Sequence, residues 1–294
     1  MNPEATRVEY LFFSTAEKAV FYVLAALSLG YLAFQIWQRV KLWQKARPIG
    51  ALNDGWKYWI PTTVAIKQWV KNLIPYVLMQ KKVRSSRPKS GAPMHVLIFV
   101  GFVSLFIATT LLAINTYGPY KFHKGAYYLL YEATFDTLGL LLLVGLVWAL
   151  WRRLGKTKEP ISTDKWDTGI LVLLLVITAN GYLLEAARIA AAPKAWDYWS
   201  WVGYAMAKPL GSWGPVAYKV SWWFHVVLVL GFFCILPKLR IRHIIMAIFS
   251  TAGAPSTPMG KLRTITMEEV EETELIGVKH AKDFNRWQIM SLDA

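Results

Sequence analysis

This sequence predicts an all-α membrane protein, a bundle of five transmembrane helices, and three observations carry the prediction. Hydrophobic residues make up 55% of the 294 and charged residues only 17%, against about 25% charged in soluble domains. Apolar runs longer than about 18 residues recur along the chain, enough to cross a hydrocarbon core about 30 Å thick. Lysines and arginines gather beside alternate ends of those runs, as the positive-inside rule requires. The formal net charge is +15. Because the basic residues sit beside the spans, that charge sets orientation in a membrane and gives no case for nucleic acid as a partner.

The first span is 19–37. No cleavable leader is expected, because Glu4, Glu9 and Glu17 replace the basic start that a leader needs. A basic loop follows, with Arg39, Lys41, Lys45, Arg47, Lys81, Lys82, Arg84, Arg87 and Lys89. Within it Ile66, Trp69, Val70, Leu73 and Ile74 repeat at helical spacing while Lys67 and Lys71 face elsewhere. That pattern fits a helix lying in the membrane interface, with a soluble connector as the alternative. Pro75 is expected to kink or end it. The second span is 94–115, the third 127–151, closed by Arg152 and Arg153, and the fourth 168–187. The segment 193–215 is rich in Trp, Tyr and Gly and suits a cap at headgroup level. The fifth span is 221–250. Residues 1–250 then form the membrane domain, and the polar stretch 251–294 a cytoplasmic tail.

Orientation follows from the charges. The loops after spans one and three and the exit of span five are strongly basic, which makes them cytoplasmic, with the N-terminus outside and the C-terminus inside. Cys234 is the single cysteine. It excludes an intrachain disulfide and a cysteine-ligated cluster held by this chain alone.

The histidines sort by leaflet. His225 and His243 are 18 residues apart in span five. On one unbroken helix that is five whole turns, so both rings leave the same face about 27 Å apart along the axis. Pro237 lies between them and is expected to disturb the phase. His95 opens span two and His243 closes span five, both at the inner leaflet. His225 opens span five at the outer leaflet, and His123 follows span two on that side. A histidine from each of two facing helices is what a six-coordinate b-type haem requires. A structural role is the alternative at His225 and His243, a hydrogen bond to a lipid headgroup the alternative at His95, and a solvated surface position the alternative at His123. Two pairs on opposite leaflets do not form the converging set that zinc needs.

The remaining ionisable groups near the spans are few. Glu132 and Asp136 stand at i, i+4 near the outer end of span three, and Glu185 and Arg188 at the outer end of span four. They are candidates for a quinone site or for holding haem propionates, with ordinary helix-end ion pairs as the alternative. Arg84 and Arg87, before span two, are placed for propionates of an inner haem, or simply set the topology.

Four stretches carry a resemblance: RPKSGAPMHVLIFVGF at Arg87–Phe102, FDTLGLLLLVG at Phe135–Gly145, NGYLLEAARIA at Asn180–Ala190 and WWFHVVLVLGFFCILPKLRIRHI at Trp222–Ile244. Together they resemble the gamma subunit of respiratory nitrate reductases. They also resemble its relatives, the membrane cytochrome b of heterodisulfide reductase and the membrane Fe–S oxidoreductases linked to electron-transferring flavoproteins. In the nitrate reductase relatives span two carries two histidines ten residues apart. Here His95 matches the first and Leu105 occupies the second. Either His123 supplies the outer ligand or the chain holds one haem. The tail HAKDFNRWQIMSLDA at His280–Ala294 resembles the linker that enters a Cys-rich Fe–S domain in fused relatives.

The resemblance implies an electron-transfer subunit of a quinone-linked oxidoreductase complex in the cytoplasmic membrane. It implies one or two b haems, with His95 and His243 as inner ligands and His225 as an outer one, and no catalytic residue of its own; the leaflet sorting adds His123 as the second outer ligand. Quinone is then the substrate. Fe–S clusters sit on a partner subunit or a further C-terminal domain, cytoplasmic Fe–S or flavoprotein subunits are the partners, and lipid is the surround. A haem-free membrane anchor for a soluble redox complex is the alternative.

Overall fold

A computed structural model describes residues 4–46, 63–85, 89, 91–155, 164–252, 254, 266–274, 280, 284 and 286–293. Arg87 lies outside them. The described residues form α-helices and short 3-10 and π turns; the one β contact among them is an isolated bridge between Thr6 and Lys124. Five helical stretches are long and apolar enough to cross a membrane. They are α1 (Thr15–Gln44), α4 (Gly91–Tyr117), α5 (Gly125–Leu154), α6 (Lys165–Ala191) and Trp201–Ile235, the last made of α7 (Trp201–Ala207), a 3-10 turn and α8 (Gly214–Ile235). The other helices are α2 (Thr63–Asn72), α3 (Lys81–Ser85), α9 (His243–Ala252), α10 (Met267–Thr273) and α11 (Arg286–Asp293). The long helices outrun the predicted spans by several residues at most ends, because hydropathy falls at the first charge while the backbone ladder continues through it.

The chain divides into two compact units. The first comprises Met1–Leu29 and Val83–Cys234. Its α1 starts on a capping box: the backbone N–H and hydroxyl of Ser14 both donate to Glu17 Oε2 at 2.9 Å, and the Glu17 N–H returns a bond to Ser14 Oγ at 3.2 Å. Lys219 Nζ reaches Glu17 Oε1 at 2.7 Å and ties that start to α8. Further along, Ser28 donates to the Leu230 carbonyl at 2.9 Å, so α1 and α8 touch again.

Helices α4 and α5 close on each other through glycine. A methyl group built on Gly101 would lie 2.5 Å from Leu142 Cβ and 2.8 Å from the Leu138 carbonyl. One on Gly145 would lie 2.9 Å from Ile98 Cγ1. Without a hydrophobic drive in lipid, such close backbone approach is a main source of helix association. Between α6 and α8 the contact is polar and reciprocal: Asn180 Nδ2 donates to the Ser221 carbonyl, and Ser221 Oγ donates to Asn180 Oδ1, each at 3.0 Å. The N-terminal segment folds over the α4–α5 connection, where Gly125 N donates to the Ala5 carbonyl at 2.8 Å and Thr6 Oγ1 to the His123 carbonyl at 3.0 Å.

The second unit comprises Gly30–Lys82 and Ile235–Ala294. Its core is Trp43, Met246 and Met290, with Val40, Trp69, Ile245, Trp287 and Ile289 against it. Trp287 Nε1 donates to the Ser250 carbonyl at 2.7 Å, and Asn72 Nδ2 to the Ala254 carbonyl at 3.2 Å. The end of the tail, α11, therefore packs on α9 as part of a folded unit and is not only a linker. The amphipathic stretch forms as α2 and widens into a π turn over Leu73–Leu78, at Pro75. Trp69 enters the core, while Ile66, Val70 and Ile74 remain exposed.

The expected single helix over 221–250 is not formed. α8 ends at Ile235, a turn and a short 3-10 segment (Arg240–Arg242) intervene, and His243 opens α9. Pro237 has no N–H to continue the ladder and its ring excludes the carbonyl four residues back. It is among the most buried side chains, and its own carbonyl accepts from Arg39 Nη2 at 3.4 Å. The unbroken helix from which a shared face for His225 and His243 is expected is therefore absent.

The glycine seam yields a test. Gly101→Ala should destabilise the first unit by about 1–3 kcal/mol, the usual range for overpacking. Gly169→Ala, where nothing lies within 4 Å of the added methyl, should be neutral or gain up to about 1 kcal/mol from helix propensity. Thermal unfolding in detergent compares the two.

Candidate functional site

The first unit gathers its buried charges at one end, where α5 begins and α6 finishes. Arg188 Nη2 lies 3.4 Å from Glu132 Oε2 and 3.6 Å from Glu185 Oε1, and its Nη1 lies 3.9 Å from Asp197 Oδ1. Three segments meet on one guanidinium: α5 with Glu132, α6 with Glu185, and the connection after α6 with Asp197. The acids are held differently. Ser200 Oγ donates to Glu132 Oε2. The Val202 N–H donates to Asp136 Oδ2 at 2.7 Å, and Tyr182 donates its hydroxyl to the Asp136 carbonyl. The Lys194 N–H donates to Asp197 Oδ2 at 2.6 Å. Glu132, Asp136, Arg188 and Asp197 are buried, whereas the Glu185 side chain keeps 21% of its surface. Burial raises the carboxyl of Asp197, which lies outside the long helices, against the lowering effects of the Lys194 N–H and Arg188.

Glu132 and Asp136 share a helix face, as their spacing implied, and the structure brings them together with Glu185 and Arg188. Asp197, Ser200 and Tyr182 complete the cluster and were not picked out in the sequence. Asp197 did leave a signal: it is an acid inside a stretch otherwise rich in Trp and Tyr.

The histidines divide between the units. His123 was placed in a loop with a solvated position as the alternative, but it is only 3% exposed. Its ring lies 4.4 Å from that of Tyr131, 5.1 Å from Phe122 and 5.5 Å from Tyr127. Its N–H donates to Asn115 Oδ1 at 3.0 Å, which fixes the backbone beneath it. Both ring nitrogens are buried without a hydrogen-bond partner among the described residues, and burial lowers the imidazole below its ordinary value. His225 lies one turn beyond Ser221 on α8, beside Gly181 of α6: a methyl group there would sit 3.7 Å from His225 Cε1. The buried Nδ1 of His225 likewise has no partner. His95 is half-buried near the start of α4 in the first unit. His243 is exposed in the second, its Nδ1 3.0 Å from the Arg240 carbonyl. Arg84 lies in α3.

A buried imidazole nitrogen with no partner costs free energy until something bonds it. His225 and His123 thus have the chemistry that a haem iron demands of an axial ligand. The seam between α4 and α5 is too tight at Gly101 and Gly145 for a macrocycle to enter there. Among the described residues no group of three or more His, Cys, Asp or Glu converges as a metal site.

With that geometry in view, similarity to known proteins becomes informative. The chain is similar to the EtfAB:quinone oxidoreductase of Syntrophomonas wolfei, 23% identical over 291 residues that cover 93% of this chain and 38% of that protein. It is also similar to the probable iron-sulfur-binding oxidoreductase FadF of Bacillus subtilis, 23% identical over 228 residues, 74% of this chain and 31% of that protein. The chain thus spans well under half the length of either relative. No family model matches it, and no solved structure does.

Two tests follow. Arg188→Met strands the carboxylates that shared the guanidinium. Breaking a buried pair by removing one partner costs about 3–5 kcal/mol, so thermal unfolding should show a large loss that Arg188→Lys recovers in part. The raised carboxyl of Asp197 gives the second. Its folded value lies above its unfolded one, so over that window the folded state binds the proton that the unfolded state releases. Stability of the 192–200 connection should therefore fall as pH rises through the window. Amide-exchange protection of residues 194–202 should show that slope, and Asp197→Asn should abolish it.

Proposed function

We propose that this chain is the membrane-embedded electron-transfer part of a quinone-linked iron–sulfur oxidoreductase. The observation that carries the reading is the similarity to the EtfAB:quinone oxidoreductase along 93% of the chain, in a chain with five long apolar helices. Quinone is the membrane substrate, and the Fe–S and flavoprotein components lie on a partner or on a further part of the same protein. In this reading the chain lies in the cytoplasmic membrane, with the N-terminus outside and the C-terminus inside, which the positive-inside rule supports.

Haem b is the cofactor that the histidines suit. When bound it supplies one-electron transfer at a potential set by its ligands and their surroundings. His225 and His123 would hold an outer haem and satisfy the unpartnered nitrogens described above; His95 would ligate an inner one from α4. Arg84 and Arg87 suit the inner propionates. The cluster of Glu132, Asp136, Glu185 and Arg188 lies at the end where a quinone headgroup would exchange protons with the outside. The chain's own residues do the positioning: Asn180 and Ser221 fix α8 against α6 beside His225, and Asn115 fixes the backbone of His123.

The purified chain should show a b-type absorption spectrum on dithionite reduction that a short-chain quinol also produces. His225→Ala should diminish it, and His123→Ala should lower haem from about two per chain to about one. A spectrum without haem bands would leave the chain as a haem-free anchor for a soluble redox complex.

A further inference from the structure

We propose that Glu185 carries the exchangeable proton of the buried cluster, so that this end of the bundle is a proton-holding site. The inference rests on the quinone-linked reading only for its purpose. The geometry stands without it.

Three carboxyls, those of Glu132, Glu185 and Asp197, lie against one guanidinium, and a fourth, Asp136, faces two of them. Glu132 faces Glu185 and Arg188, and Asp136 faces Glu132 and Glu185. Like charges at such range in a poorly solvated site cannot all ionise, and the proton rests on the acid with the fewest donors. Asp136 takes a backbone N–H from Val202, Glu132 the hydroxyl of Ser200, and Asp197 the N–H of Lys194. Glu185 has only the 3.6 Å contact with Arg188. Its other near neighbours, Glu132 and Asp136, are themselves carboxyls, and a carboxyl–carboxyl contact is attractive only when one of the two is protonated.

Two further observations point to a proton and the water that delivers it. Glu132 Oε1 and Asp136 Oδ1 are buried without a hydrogen-bond partner, and so is Arg188 Nε. Acceptors and a donor left open in one place are what an internal water or a carboxyl O–H would satisfy. Glu185 also keeps more of its side-chain surface than the other acids of the cluster. Gly203 makes the room: a methyl group there would stand 2.6 Å from Glu185 Cγ and 2.8 Å from its Oε2.

The charged and titratable groups facing Glu185 are Tyr131, Glu132 and Asp136 from α5, and Tyr182 and Arg188 from α6. Asp197 reaches Arg188 from the connecting segment, and Arg7 acts on Glu132 and Tyr131 from the N-terminal segment. Proton release converts the Glu185 carboxylic acid to carboxylate and leaves Arg188 to hold the added negative charge. A quinol oxidised nearby gives up its protons with its electrons, and Glu185 is the group able to receive and pass them.

Infrared spectroscopy of the full chain in vesicles, with quinone and redox partners absent, tests this. At neutral pH the wild type should show a protonated-carboxyl C=O band that shifts in D2O. Glu185→Gln should remove it, Asp136→Asn should retain it, and Gly203→Ala should displace it. No such band in the wild type, or an undiminished band in Glu185→Gln, overturns the assignment. Should Glu185→Gln not fold, an unmoved band in Gly203→Ala overturns it instead. Because no electron transfer is involved, a negative result leaves the quinone-linked reading to stand or fall on its own spectrum.

Discussion

The guanidinium of Arg188 touches carboxylates from three separate segments, and the polar end of the first unit is assembled around it. Taking these charges out of water is expensive, and their mutual attraction compensates only when geometry and extra hydrogen bonds are good. Here Ser200, the Val202 N–H and the Lys194 N–H supply those bonds, so the 192–200 connection is folded down over the cluster. A purely structural anchor could have been built from apolar packing at similar or better stability.

Away from that end the unit is held by different means. Along the α4–α5 seam glycine lets the helices approach until their backbones nearly touch. Between α6 and α8 a single reciprocal amide–hydroxyl pair sets the register. Placing Ser221 against Asn180 puts His225 one turn further on, beside Gly181. Both ring nitrogens of His123 and Nδ1 of His225 have no hydrogen-bond partner among the described residues.

The second unit changes the meaning of the tail. Met290 and Trp287 pack with Trp43 and Met246, and the Trp287 indole bonds the end of α9. The last helix completes a core instead of hanging free. Removing residues 251–294 would therefore uncover Trp43 and Met246. The exposed stripe of Ile66, Val70 and Ile74 stays on the outside of that unit, as the interfacial pattern implied.

By itself the sequence determined the helical class, the number of long apolar helices and the charged residues worth watching. Each follows from local composition: hydropathy reports on a window of neighbours, and the four-residue step from Glu132 to Asp136 fixes a shared face by helical geometry alone. Tertiary structure decided which charges meet. Asp197 and Ser200 reach Glu132 and Arg188 only because the connection after α6 folds back, and no local pattern encodes that return. It also decided the fate of the histidines. His123, in a polar loop by its neighbours Lys121 and Lys124, is buried because the N-terminal segment crosses over it and the tyrosines of α5 enclose it. The long histidine register failed at Pro237, where a missing N–H ended the helix that the apolar run had seemed to continue.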